Sequence, residues 1–213
     1  MKKPLVFKGV EICCSWKFEQ EAWGEGHREV GGADEVGRGA LCGPVVAGVV
    51  ILGEGFDATG LDDSKRLTER QRETLAERIR ARARCWALGV AEPQEVDRLN
   101  ILRATYLALR RAVEALACPP DLLLVDALTI PGVAVKQKAI VKGDALCFSI
   151  AAASVLAKVD RDARMRDWDR RFPGYGLARN MGYASEDHRD ALRRMGPSEI
   201  HRRSFHGTQR WLF

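Results

Sequence analysis

Nine consecutive residues, Pro44-Val45-Val46-Ala47-Gly48-Val49-Val50-Ile51-Leu52, carry no polar side chain. A β-branched run of this kind reads as a buried strand, which has to be covered by other layers of structure. A second apolar run, Leu122-Leu123-Leu124-Val125, reads the same way and closes at Asp126. Between them lie helical signals. Thr68-Glu69-Arg70-Gln71 is a capping box that predicts a helix over 69–82. A strand follows at 85–90, then a helix over 100–116 with Ile101, Leu102, Tyr106, Leu109 and Val113 on its apolar side. Residues 136–142 form a short basic segment. A long helix is expected from about Asp144, with Phe148, Ala152, Val155, Leu156 and Val159 as its stripe. A Pro/Gly/Tyr loop (172–183) and a polar helix (185–195) complete the chain. Strands alternating with helices imply an α/β fold with a mixed sheet, capped by a C-terminal helical lobe.

The 213 residues, 46% of them hydrophobic, suit one domain with a full core. Residues 1–27 read as an N-terminal extension without a clear period, 28–178 as the main domain and 179–213 as a basic lobe packed on it. The net charge of +5 is unevenly placed: residues 160–213 hold 12 arginines against 8 acids. Such a lobe is expected either to touch an anionic backbone or to be an arginine-rich solvated surface. Six cysteines show no C-x-x-C spacing and read as free thiols in a reducing compartment. Lys8 and Glu11 interrupt the apolar start, which argues against a signal or a membrane span. The expectation is a monomeric cytoplasmic protein with no membrane partner.

Four carboxylates stand at positions where sites form. Asp34 and Glu35 end a strand just before Val36-Gly37-Arg38-Gly39. They are either ordinary turn-entry acids or a pair aimed at one site, the latter only if the strand ends or kinks there. Asp126 falls at the carboxyl end of a strand, where ligand sites of open α/β sheets lie. Asp144 opens a helix, where an acid acts as a cap whatever else it does. Asp160 and Asp162 read as surface ion pairs of the long helix. A carboxylate cluster suits phosphodiester hydrolysis, because two hard divalent ions roughly 3.5–4 Å apart activate water and neutralise the transition state. No rival is visible: His27, His188, His201 and His206 lack ligand spacing, and no phosphate-binding loop or serine-nucleophile motif occurs.

As strings, Gly32-Ala33-Asp34-Glu35-Val36-Gly37-Arg38-Gly39 with Cys42-Gly43-Pro44-Val45, Leu61-Asp62-Asp63-Ser64-Lys65-Arg66-Leu67, Val125-Asp126-Ala127, Lys142-Gly143-Asp144-Ala145 and His201-Arg202-Arg203-Ser204-Phe205 strongly resemble the type 2 ribonucleases H, in their bacterial ribonuclease HII branch. The resemblance runs from about residue 29 to 206. It implies a ribonuclease H-like mixed five-stranded sheet flanked by helices. It implies hydrolysis of the RNA strand of RNA–DNA hybrids and cutting 5′ of single ribonucleotides in duplex DNA, leaving a 3′-hydroxyl and a 5′-phosphate. The family's catalytic quartet falls on Asp34, Glu35, Asp126 and Asp144. The resemblance implies ligation of Mn²⁺ or Mg²⁺ most securely for the first three. Gly37, Arg38 and Gly39 correspond to the element that senses the 2′-hydroxyl through its backbone, and Tyr183 to the tyrosine that packs on the following deoxyribose. Ser64, Lys65, Arg202 and Arg203 resemble contacts to the nucleic-acid backbone. Met181 departs from the family's usual lysine. The alternatives are a ribonuclease HIII-like enzyme preferring longer hybrids and a non-catalytic binding module. The Gly-Arg-Gly element and the lack of a large N-terminal binding domain argue against the first. Anions placed beside phosphate argue against the second.

Overall fold

The computed structural model describes residues 5–7 and 10–208. Two short antiparallel strands, β1 (Leu5–Phe7) and β2 (Val10–Ile12), precede helix α1 (Lys17–Gly24). Then come β3 (Val30–Val36), β4 (Val45–Ile51), α2 (Glu69–Arg82) and β5 (Cys85–Ala91). Helices α3 (Pro93–Leu99) and α4 (Ile101–Glu114) lead to β6 (Leu122–Asp126) and β7 (Lys136–Ile140). The chain ends in α5 (Gly143–Leu146), α6 (Phe148–Arg171), α7 (Leu177–Asn180) and α8 (Glu186–Met195). The sheet order is β5-β4-β3-β6-β7. Strand β4 pairs antiparallel with both β3 and β5, while β6 lies parallel between β3 and β7. This is the mixed five-stranded sheet expected from the sequence.

The apolar run of β4 divides between two cores. Val45, Ala47 and Val49 pack with Ala104, Ala108 and Ala112 of α4. Val50, of opposite parity, packs with Ala152, Ala153, Val155 and Leu156 of α6. Helix α6 lies unusually close to the sheet because Gly32 and Gly48 present it no side chain. A Cβ on Gly32 would stand 2.1 Å from the Ser149 carbonyl carbon, and one on Gly48 2.5 Å from the Ala153 oxygen.

Local signals set several boundaries. The Thr68–Gln71 capping box starts α2, and the Asn100 side chain accepts from the amides of Leu102 and Arg103 to start α4. The helix expected from Asp144 is instead two helices, broken at Cys147 (φ −123°, ψ 125°). The basic segment is the edge strand β7, where exposed lysines oppose pairing between molecules. Helix α3 carries a Glu92/Glu95 capping box and Pro93 in its first turn, but it is too short to show a period.

Residues 13–27 are not an appendage. Trp16 meets Phe148 edge-on at 5.1 Å, and Ala22 packs with Val30, Leu122 and Ile150. The C-terminal lobe shares its own cluster with the β3–β4 loop and α6: Leu41, Cys42 and Met165 against Leu177, Leu192 and Ile200. Residues 209–213, the end of the expected lobe, lie outside the described residues, as does the Met1–Pro4 start. All six cysteines are free thiols. Among the described residues no helix is long and apolar enough to cross a membrane.

Candidate active site

The register of the parallel pair β3–β6 creates the site. Ala33 pairs with Val125, so Asp34 and Asp126 are the next residues on adjacent strands at their carboxyl ends. Asp34 shares the parity of Gly32 and therefore faces α6. It is 4% exposed. It accepts the Glu35 amide at 2.8 Å and is hydrogen-bonded to Ser154 of α6. Glu35 is held at the same corner by Arg38, whose Nη1 donates to Oε1 at 3.0 Å. The strand neither ends nor breaks at this pair. It continues to Val36, which pairs with Val46.

Asp126 Oδ1 accepts the Gly143 amide at 2.8 Å, which ties the end of β6 to the start of α5. Asp144 follows in that helix, buried. Its Oδ2 accepts from Lys65 Nζ at 2.9 Å, so the carboxylate is engaged by a cation and the N-cap position is Lys142, with φ 60°. The capping role expected for Asp144 is not the one its side chain plays.

Burial, then the charges of Glu35 and Asp126, hold the Asp34 carboxyl well above the usual carboxylate range, against the Ser154 hydrogen bond. Burial and the charge of Asp144 push Asp126 up to about 6. Burial works against the Lys65 charge, but Asp144, Asp63 and Asp34 together keep its pKa above that of a free lysine. Asp34 thus feels the charges of Glu35, Asp126 and Asp144, and Asp126 those of Asp144 and Glu35, although no three of these carboxylates bring oxygens within 4.8 Å of one another among the described residues. An oxygen-only donor set under such strain suits a hard divalent cation, which relieves the repulsion.

The loop that follows β3 is folded around two buried guanidiniums. Arg161 donates to the carbonyls of Pro44, Met181 and Cys42. Arg202 donates to those of Arg38, Ala40 and Gly43. Burial, then repulsion from Arg161, brings the Arg202 pKa down to about 9. The expectation that Arg202 contacts the nucleic-acid backbone is corrected here: with 0% exposure, its donors are spent on the protein's own loop. Ser64 is also buried, its hydroxyl 2.9 Å from that of Ser154, so its side chain faces inward. Gly37 has φ +93°, and a Cβ there would lie 2.2 Å from Arg161 Nε. Gly39 has no heavy atom near its Cβ direction, and Arg38 and Arg203 are exposed. Tyr183 is 37% exposed, its ring backed by Arg161 at 5.3 Å. Met181, in the left-handed region at φ 50°, packs on the lobe cluster.

Three features escaped sequence reasoning. Asp162 is not a surface residue: it is buried between Lys158 (2.7 Å) and Arg72 (3.8 Å). Arg161 sits among eight other arginines and acids of α6, so nothing local marks it as inward-facing. His188 and His201, without ligand spacing, come together with Cys42, one donor atom of each within 4.8 Å. Their bonds are already complete. The Ser198 amide donates to His201 Nδ1, the two Nε2 atoms are 3.0 Å apart, and His188 Nδ1 faces the Tyr183 carbonyl at 2.9 Å. One proton between the Nε2 atoms and one on His188 Nδ1 satisfy both rings as neutral imidazoles. Burial lowers both pKa values, His201 to about 4.

This sheet order, with carboxylates gathered at the ends of its adjacent parallel strands, defines a ribonuclease H-like hydrolase. The sequence model of the family described as Ribonuclease HII matches residues 31–208. A ribonuclease HII of Desulfitobacterium hafniense (strain Y51) is 52% identical over 194 residues, 91% of this chain and 75% of that one. Among solved structures, the ribonuclease H2 of Pyrococcus horikoshii OT3 superposes with a TM-score of 0.72 at 26% identity, covering 85% of this chain and 95% of that one. Bst-RNase HIII, solved in complex with Mn²⁺, shares the fold at a TM-score of 0.65 and 20% identity, over 86% of this chain and 68% of that one. The chain belongs to the ribonuclease HII family. It is accordingly a nuclease with ribonuclease H activity, of a divalent-metal-dependent family that acts on RNA–DNA hybrids.

Proposed function

We propose that this enzyme cuts 5′ of single ribonucleotides embedded in duplex DNA as well as within RNA–DNA hybrids, leaving a 3′-hydroxyl and a 5′-phosphate. The observation that supports the reading is Asp34 and Asp126 at neighbouring positions of adjacent parallel strands, both held above the ordinary carboxylate range by burial and by charges that include Glu35. These three would hold the divalent ions, Mn²⁺ or Mg²⁺. The ions supply an activated water and neutralise charge on the phosphate. The chain's own groups do the rest. Lys65, with a largely exposed side chain, spends one proton on Asp144 and keeps two with which to meet a phosphate as a point charge. Arg203 adds a second exposed cation at the lobe. The open backbone at Gly39 lets a minor groove come close enough for main-chain groups to read a 2′-hydroxyl. Tyr183, braced from behind by Arg161, offers its free face to the next sugar.

The test is a duplex containing one ribonucleotide, incubated with Mn²⁺, with Mg²⁺ and with excess chelator, and the cut mapped at nucleotide resolution. Cleavage 5′ of the ribonucleotide that stops in chelator is expected. Cleavage that persists in chelator, or falls elsewhere, overturns the reading. Tyr183→Ala should lower cleavage at the lone ribonucleotide relative to a long hybrid; an unchanged ratio removes the tyrosine from substrate recognition.

A further inference from the structure

Residues 14–19 lie outside the carboxylate corner, yet they bond to the element that carries Asp144 and to the start of the helix that follows it. Cys14 Sγ donates to the main-chain oxygen of Asp144 at 3.4 Å. The Ser15 amide donates to Leu146 O at 3.1 Å, and Ser15 forms a parallel bridge with Cys147. Glu19, on α1, is fully buried. Its Oε1 accepts from the Ser149 amide at 2.8 Å and from Cys147 Sγ at 3.2 Å.

These contacts matter because α5 cannot place Asp144 alone. It has four residues, no side-chain cap, and a break at Cys147 directly after it. One helical turn is not self-supporting. Helix α6 also begins without a side-chain cap of its own. Glu19 supplies one from a distant part of the sequence, setting a carboxylate on the free amides and the positive end of the helix. Such burial is otherwise hard to account for. Glu19 Oε2 and Ser149 Oγ are both buried without a hydrogen-bond partner, a cost that a purely space-filling side chain would avoid.

We propose that Glu19 is a positioning residue for Asp144: by capping α6 at Ser149 and holding Cys147, with Cys14 and Ser15 bonded to the main chain of α5, it sets where the Asp144 carboxylate stands relative to Asp126. This rests on the reading that Asp144 takes part in cleavage.

The test is a double-mutant cycle between Glu19→Ala and Asp144→Asn in the full chain. Single-turnover rates and KM are measured on the lone-ribonucleotide duplex with Mn²⁺, below the melting temperature of every variant. Glu19→Ala should slow cleavage about tenfold to a hundredfold, as a misplacement of about 1 Å does, with KM changed less than about twofold. In the Asp144→Asn background the same change should cost little more, because the residue it positions is already gone. Glu19→Gln, which keeps the Oε1 acceptor, should recover most of the rate. Cys14→Ala should fall short of Cys14→Ser, which retains a donor to Asp144 O, and this pair carries the test if Glu19→Ala fails to fold. Additive losses, a loss confined to KM, or an unchanged rate in Glu19→Ala overturns the proposal. If Asp144→Asn itself cuts at the wild-type rate, the catalytic assignment of Asp144 fails and takes the positioning role with it. If Asp144→Asn is slow while Glu19→Ala is not, only the positioning role fails.

Discussion

Asp126→Asn should inactivate the enzyme and at the same time stabilise the metal-free fold. Asp126 is pushed from 3.8 up to about 6 by burial and by the Asp144 charge. That displacement corresponds to about 3 kcal/mol of unfavourable ionisation at neutral pH. Solvent reaching a partly exposed carboxylate reduces this to ~1–2 kcal/mol. Asparagine keeps an oxygen to accept the Gly143 amide, so the tie between β6 and α5 survives. In chelator at pH 7.5 the variant should therefore melt roughly 2–8 °C above the wild type. Its folded carboxyl would have titrated above the unfolded value. The penalty is absent below the unfolded pKa, develops as pH rises from about 4 to about 6, and is complete above that. The gap between variant and wild type should close accordingly by about pH 4. Adding Mn²⁺ should reverse the ranking, because a cation that binds only the folded cluster stabilises the wild type by mass action. Melting curves from pH 4 to 8, with and without Mn²⁺, and one cleavage assay decide the matter. A variant less stable than wild type in chelator refutes the repulsion argument. A variant that still cuts at the wild-type rate refutes the metal-ligand assignment.

Two further outcomes follow from the buried polar groups of the lobe. Arg202→Ala strips the carbonyls of Arg38, Ala40 and Gly43 of their donor. It should cost about 3–5 kcal/mol, seen as a melting point lowered by roughly 6–20 °C. The salt dependence of duplex binding should be unchanged in any Arg202 variant that folds, whereas Arg203→Ala should flatten its slope by about one; the reverse pattern would restore Arg202 as a phosphate contact. The neutral His188–His201 pair predicts acid sensitivity. The unfolded chain takes up protons near 6.5 while folded His201 resists until about 4, so stability complete above about pH 6.5 is lost as pH falls toward 4, by about 3 kcal/mol. His201→Gln should remove most of that slope in chemical denaturation; an unaltered slope would locate the acid sensitivity elsewhere.

Much of the fold was legible because its signals are local. The apolar run of β4, the Thr68–Gln71 box and the Asn100 cap each act within a few residues, so they read correctly from the string. Where local signals fail, the reason is physical as well. The edge strand β7 reads only as a short basic segment because an edge strand buries little, and α3 is shorter than the period needed to see it. The break at Cys147 carries no glycine or proline to mark it. It follows from the bridge that Ser15 makes with Cys147 and the Glu19 bonds beside it.

The string alone determined which residues are chemically able to serve: two acids before a glycine turn, one at the end of an apolar strand, one opening a helix, and no competing nucleophile. Only the tertiary structure decided which way those and other polar groups face. The parallel register brings Asp34 beside Asp126, the close approach of α6 over Gly32 and Gly48 sets Ser154 on Asp34, and the β3–β4 loop turns Arg202 inward while Arg203 stays in solvent. Adjacent arginines are identical as sequence. Their difference arises from long-range packing, which no local pattern encodes.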